Sequence, residues 1–141
     1  MQNSEAHWID QLACRTLVEA SVRHVDDGDA PAFAALFTDD GVLVRPNGAL
    51  IEGREAIQET YAQRAADRLT RHLVTNVHVT PEADGSARAR SYVLLWTGSS
   101  ATPADGTAGR RADARQLVGE FDDRLVRGAD GAWRIQRRQA S

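Results

Sequence analysis

The strongest constraint on the fold is a change of hydrophobic period part-way along the chain. In the first segment, Cys14, Leu17, Val18, Ser21, Val22 and Val25 recur at helical spacing and make one mostly apolar stripe. From Thr70 onward the pattern becomes long runs of alternation, at Thr70–Thr80, Ser86–Gly98 and Arg115–Arg127, then Ala132–Arg138. Period 3.6 followed by period 2 means helices gathered ahead of an antiparallel meander. That is an α+β domain with the helices packed on one face of a sheet. The 141 residues suit one domain, taken as 1–141, with a single core.

The punctuation between these runs refines the order. The first helix is expected from about Ser4 to Val25, with Gly28 as its C-cap. Asp29 followed by Pro31 reads as the N-cap of a short second helix that carries Phe33, Leu36 and Phe37 to the core and stops at an Asp39-Asp40-Gly41 turn. Val42–Arg45 and Ala49–Glu52 form a small hairpin around Pro46-Asn47-Gly48. Gly53 opens a third helix marked by Ile57, Tyr61 and Ala65. The polar stretch between Gly98 and Ala114 reads as an exposed hairpin tip.

Composition excludes several functions. All 17 basic residues are arginine, so the chain offers no lysine for a Schiff base or for a P-loop of the usual kind. Net charge is −3, which argues against nucleic acid or an anionic membrane as partner. No apolar run is long enough to span a bilayer, and no signal peptide is visible, so a cytoplasmic location is expected. Cys14 is the only cysteine and sits on the apolar stripe, as a small hydrophobe would. No Gly-x-Ser-x-Gly elbow and no dinucleotide-binding glycine pattern occurs. Neither a metal site nor a cofactor is expected.

The sharpest chemical feature is the pair Asp26 and His72. Asp26 follows Val18 and Val22 at i+4 steps, so it faces the core side at the negative end of the helix dipole. A basic partner opposite would offset that cost. On an alternating strand, His72, Val74, Asn76 and His78 share one face. An Asp bonded to one imidazole nitrogen fixes the tautomer and makes the other a general base. The plain alternative is a solvated Asp26 near a helix end and a hydrogen-bonded interior His72. His78, six positions from His72 on the same strand, is too far along it to share a metal. His7 and His24 read as surface histidines.

Local patterns spread along the chain carry a family resemblance. They are Asp26-Asp27-Gly28-Asp29, the run Ala35-Leu36-Phe37-Thr38-Asp39-Asp40-Gly41, and Gly53-Arg54-Glu55-Ala56-Ile57. Arg71-His72 with Thr75-Asn76, Gly119-x-Phe121-x-Asp123 and Gly131-x-Trp133-Arg134-Ile135 complete the set. In order and spacing they resemble the nuclear-transport-factor-2-like superfamily, more narrowly its SnoaL-like branch. The resemblance implies a cone-shaped, barrel-like fold: helices on a strongly curved, mostly antiparallel sheet that encloses one pocket, usually dimeric through the sheet. Scytalone dehydratase and hexachlorocyclohexane dehydrochlorinase in that superfamily use an Asp–His dyad, and Asp26 and His72 stand where its members would fall.

What the resemblance implies for function is a cofactor-independent lyase, isomerase or polyketide-cyclase-like enzyme acting on a small hydrophobic, cyclic substrate, with a homodimer expected. The alternative is a non-catalytic ligand binder or an accessory subunit resembling the β subunits of ring-hydroxylating dioxygenases. The expected pocket wall comprises Val22, Phe37, Tyr61, Val74, Asn76, Asp122 and Arg138. Arg138 lies where the dehydrochlorinase has an arginine, with a surface terminal charge as the plain alternative. Asp122 and Asp123 occupy opposite faces of their strand, and the sequence leaves open which faces inward. The ketosteroid isomerase mechanism is not supported, because Arg45 and Ser21 stand where that family has its Asp base and its Tyr. Tyr92, Leu94 and Trp96 share a face and read as core or dimer surface, and Trp133 as buried packing.

Overall fold

The computed structural model describes residues 2–141. Helix α1 (Gln2–Asp26) is followed by α2 (Ala30–Ala35), β1 (Phe37–Val44), β2 (Leu50–Glu52) and α3 (Arg54–Ala62). The long strands come next: β3 (Arg68–Pro81), β4 (Ala87–Ser99), β7 (Gln116–Arg127) and β8 (Trp133–Ala140). Between β4 and β7, the pair β5 (Ala104–Asp105) and β6 (Gly109–Arg110) makes a separate small hairpin in the exposed 98–114 stretch. Six strands form one sheet in the order β2-β1-β8-β7-β4-β3. Only the β1–β8 neighbours run parallel; every other neighbouring pair is antiparallel. The sheet curls around the helices but does not close, so one end stays open as a cavity.

The stripe predicted on α1 is the buried one: Cys14, Leu17, Val18, Ser21 and Val22 all lie against the sheet. At its end Gly28 takes φ 72° and the Asp29 amide bonds back to the His24 carbonyl, a left-handed helix stop that suits glycine. Asp29 then caps α2, accepting from the Ala32 amide at 3.0 Å. The core beneath gathers Phe33, Phe37, Ile57, Leu125 and Ile135 with the α1 stripe. Removing one such side chain to Ala costs about 2–5 kcal/mol.

Two local readings need correction. First, α2 ends at Ala35, and Phe37 opens β1 beside Ile135 instead of riding on the helix. Asp39-Asp40-Gly41 continues that strand through an irregularity in its pairing with β8, not a turn. Glycine is needed at position 41 because a Cβ there would come within 2.9 Å of the Phe37 Cβ. Second, the alternation of β3 does not persist. Its register against β4 slips between Thr75 and His78, where Asn76 adopts φ 52°. This β-bulge adds one residue and exchanges the faces beyond it. His72 and Val74 point inward before it, Val77 and Val79 after it, and Asn76 and His78 turn out to solvent. His72 and His78 therefore lie on opposite faces.

Candidate active site

The bottom of the cavity is built where α1 ends against β3. Asp26 is the last residue of α1, and Thr70 and His72, two apart on β3, both point at it. Asp26 Oδ2 accepts the His72 backbone N–H at 2.9 Å. Its Oδ1 lies 2.6 Å from His72 Nδ1 and accepts the Thr70 hydroxyl at 2.8 Å. Arg64, in the link between α3 and β3, donates to Thr70 Oγ1 and to the Val25 carbonyl, each at 2.6 Å. Thr70 thus relays from Arg64 to Asp26, and the last helical turn is tied down from both sides.

Burial pushes the Asp26 carboxyl towards protonation, but the bonds from the His72 ring, the His72 amide and Thr70 outweigh it and hold the group below its ordinary value of 3.8. An ionised Asp26 acts as acceptor at both oxygens, so the proton of a neutral His72 sits on Nδ1. The lone pair is then left on Nε2, for which no protein partner occurs among the described residues. Both side chains are nearly enclosed, at 16% exposure for His72 and 10% for Asp26. His72 forms part of the cavity wall.

A second carboxylate–base pair lies deeper. Asp123 and Arg138 are cross-strand neighbours on β7 and β8. The Arg138 guanidinium grips Asp123 in a two-pronged pair, Nε and Nη2 each 2.8 Å from a carboxylate oxygen. Its Nη1 donates to Ser21 Oγ at 2.9 Å, and the Ser21 hydroxyl donates to the Val18 carbonyl at 2.6 Å. The guanidinium also lies 4.0 Å from the Phe121 ring centroid. Of a guanidinium's five N–H donors, Asp123 and Ser21 take three. Arg138 borders the cavity with the remaining two unspent.

The cavity itself measures about 600 Å³, within the range of small-ligand pockets. Val22, Phe33, Leu43, Val93 and Leu95 supply an apolar wall. Tyr61 stands among them, packed on the Phe33 ring at 4.6 Å, and burial raises its phenol above the ordinary value despite the arginines around it.

Of the residues expected at this wall, Val22, Tyr61 and Arg138 line it, and His72 with them. The other four do not. Phe37 is fully buried in the core. Val74 packs against that core beyond the cavity. Asn76 is carried to the opposite face by the bulge, beside His78, Arg90 and Tyr92. Asp122 points outward and pairs with Arg88, so Asp123 is the inward-facing member of the two. Arg138 is not a surface charge: it is 2% exposed. Thr70 and Arg64 were missed. Thr70 shares the His72 face at a spacing of two, a readable signal, whereas nothing in the sequence marks Arg64. No group of three metal-ligating side chains occurs among the described residues, and none of their helices is long and apolar enough to cross a membrane. Burial, aided by Asp10, pushes the Cys14 thiol up to about 11, far from nucleophilic use.

Comparison with known proteins agrees with this architecture. The family model of the SnoaL-like domain matches residues 6–139. Among solved structures, a Mycobacterium tuberculosis protein of unknown function is 28% identical over 98% of this chain and 74% of its own, with a TM-score of 0.79. A putative scytalone dehydratase from Novosphingobium aromaticivorans is 22% identical, covering 97% of this chain and 86% of its own, TM-score 0.79. A Catenulispora acidiphila protein, solved in complex with S-DNPA, is 24% identical over 96% of this chain and 92% of its own, TM-score 0.71. No curated protein matches the chain.

Proposed function

We propose that this chain, which belongs to the SnoaL-like domain family, is a cofactor-independent acid–base enzyme, a lyase, isomerase or cyclase, acting on a small hydrophobic cyclic substrate. The observation that carries the reading is the 2.6 Å contact between Asp26 and His72 Nδ1, with His72 on the cavity wall. His72 Nε2 takes a proton from a carbon acid next to a carbonyl, and the C–H electron pair moves into an enolate. Asp26, held ionised, stabilises the imidazolium that results. Arg138 has two N–H donors left to hold the enolate oxygen. The enolate then expels a β-leaving group that takes the proton back from His72, takes that proton itself at another carbon, or attacks a second carbonyl within the same molecule, whose new alkoxide takes it. These outcomes are elimination, isomerisation and cyclisation.

The apolar wall and the S-DNPA complex of the Catenulispora protein support a small organic ligand in this cavity. The test follows deuterium incorporation by NMR when cyclic ketones such as 2-tetralone are incubated with the protein in D₂O. Exchange should occur with the wild type and be lost in His72→Gln; equal exchange by both proteins sinks the reading and leaves a binder.

The same reading makes the protein a homodimer through the outer sheet face, which is supported by the exposed Leu73, Tyr92, Leu94 and Trp96. Light scattering should give twice the chain mass for the wild type and the single mass for Leu94→Glu; a wild-type monomer removes the dimer.

A further inference from the structure

The charges around the cavity are not balanced. Of the thirteen arginines away from the cavity, seven meet an acid, among them Arg88 with Asp122, Arg124 with Asp84 and Arg134 with Asp130. Four arginines line the cavity, namely Arg45, Arg64, Arg68 and Arg138. The acids on that lining are Glu120, whose carboxylate lies 3.7 Å from Arg90, and the terminal carboxylate of Ser141, which accepts the Glu120 amide at 2.9 Å. Asp123 already neutralises Arg138.

Arg45 and Arg68 therefore have no acidic partner among the described residues. Arg45, just past β1, has only the Tyr61 ring, 6.0 Å from its guanidinium carbon. Arg68 opens β3, and Arg64 spends two donors on Val25 and Thr70. Two separate segments of chain, at 45 and at 64–68, bring these guanidinium groups to one cavity, where they act on the same Tyr61 phenol. Arg64 is itself driven below its ordinary value, by burial first and by the neighbouring Arg68 second. Like charges gathered at one cavity repel, less strongly here because Arg45 and Arg68 are exposed to water, and a bound anion relieves that repulsion.

We infer that the ligand of this cavity carries a carboxylate, held at the wall by Arg45 and Arg68 with Arg64 between them and the Asp26–His72 pair, while its apolar body lies against Val22, Phe33, Leu43, Val93 and Leu95. The substrate class is then an acidic, hydrophobic small molecule. This inference rests on the cavity being the ligand site of the proposed function, but not on His72 acting as a base.

The test is calorimetric titration of the 141-residue chain at low salt with a matched pair of probes, 1-naphthylacetate and its neutral amide, 1-naphthylacetamide. The wild type should bind the carboxylate about tenfold more tightly than the amide, the scale of a charge-assisted contact. The double variant Arg45→Gln/Arg68→Gln, at two exposed positions, should bind the two probes alike. His72→Gln should keep the wild-type preference. Equal affinities in the wild type, an undiminished preference in the double variant, or no binding of either probe up to its solubility limit would each overturn the inference. The two proposals fail separately: deuterium exchange that survives His72→Gln removes the base and leaves a carboxylate preference standing, whereas equal probe affinities remove the anion site and leave the base untouched.

Discussion

Two carboxylates are buried at the inner face of this sheet, and they have been stabilised in different ways. Asp123 meets a guanidinium that stays protonated at any working pH, through a two-pronged contact with side-chain exposures of 0% and 3%. Asp26 meets an imidazole, a group that can take up and release a proton near neutrality, at the cavity wall. The first pair is a fixed dipole: proton transfer within it is not accessible, and it holds β7, β8 and α1 together through Ser21 while leaving two Arg138 N–H donors for the proposed enolate. On the proposed function, the second cycles a proton between a substrate carbon and Nε2 while Asp26 stays ionised. Burial of charge alone therefore does not mark a catalytic group. The distinguishing feature is a titratable partner with one nitrogen committed and one open.

The largest expected effect tests that distinction directly. With a substrate in hand, His72→Gln should lower the rate about 10²- to 10⁴-fold, the usual worth of a positioned base. The fold should lose little, about 1 kcal/mol, since Asp26 keeps the His72 backbone N–H and Thr70 as donors. Chemical denaturation alongside steady-state rates would show the split. Next comes Arg138→Met, where the order reverses in kind: it strands Asp123 in the interior and should cost about 3–5 kcal/mol of stability. The double variant Asp123→Leu/Arg138→Met should recover most of that loss, because two apolar groups need no partner. A single variant as stable as the wild type would mean that Asp123 is hydrated, and the contrast between the pairs would collapse.

The sequence made one of these pairs legible and hid the other. Asp26 stands out because an acid breaks the apolar stripe of α1 at the wrong end of the helix dipole, a local conflict that alternation on β3 resolves with His72. Asp123 has no such mark. It sits beside Asp122 on a strand, and nothing local says which faces in; the answer depends on the register of β7 against β4 and β8, where Ala89 and Arg138 lie opposite it. Arg138 was expected at the pocket wall only through the family resemblance, since an arginine near a chain end by itself normally points to water. The order of helices and strands was readable from periodicity, whereas the curl of the sheet came only with the family resemblance. Where it failed, a backbone irregularity was responsible: one extra residue at Asn76 inverts the faces of β3, and strict alternation has no way to foresee a bulge.

Acid titration sharpens the comparison from another side. The folded Asp26 carboxyl lies below its ordinary 3.8, so the unfolded chain binds a proton there more readily than the folded one. Its contribution is fully present above that value and is lost as pH falls through the lower folded one. Asp26→Asn should therefore lose stability at neutral pH and flatten the dependence below about pH 4, seen as a smaller gap between the melting temperatures of the two proteins in acid. Other carboxylates held low, such as Asp84, Asp122 and Asp130, leave a shared slope in both proteins. A gap that widened in acid would mean that Asp26 is protonated in the native state, and an acid that keeps its proton is not the partner the imidazolium needs.

The smallest effect belongs to the outer face. Arg88 and Asp122 make a two-pronged contact much like that of Arg138 and Asp123, but with side-chain exposures of 52% and 40%. Water and salt screen such a pair, and holding two long side chains in register costs entropy. In a double-mutant cycle with Arg88→Ala and Asp122→Ala, the coupling should be close to nothing at physiological salt. Geometry is nearly constant between the two pairs, so the difference in coupling isolates what burial contributes. A coupling on the outer face as strong as the inner one would require the face to be shielded from solvent, which is what a second copy of the chain packed against Tyr92 and Trp96 would do. The cycle is therefore best run both far below and above the concentration at which the proposed dimer forms, and a coupling that appears only at the higher concentration would locate the pair inside the interface.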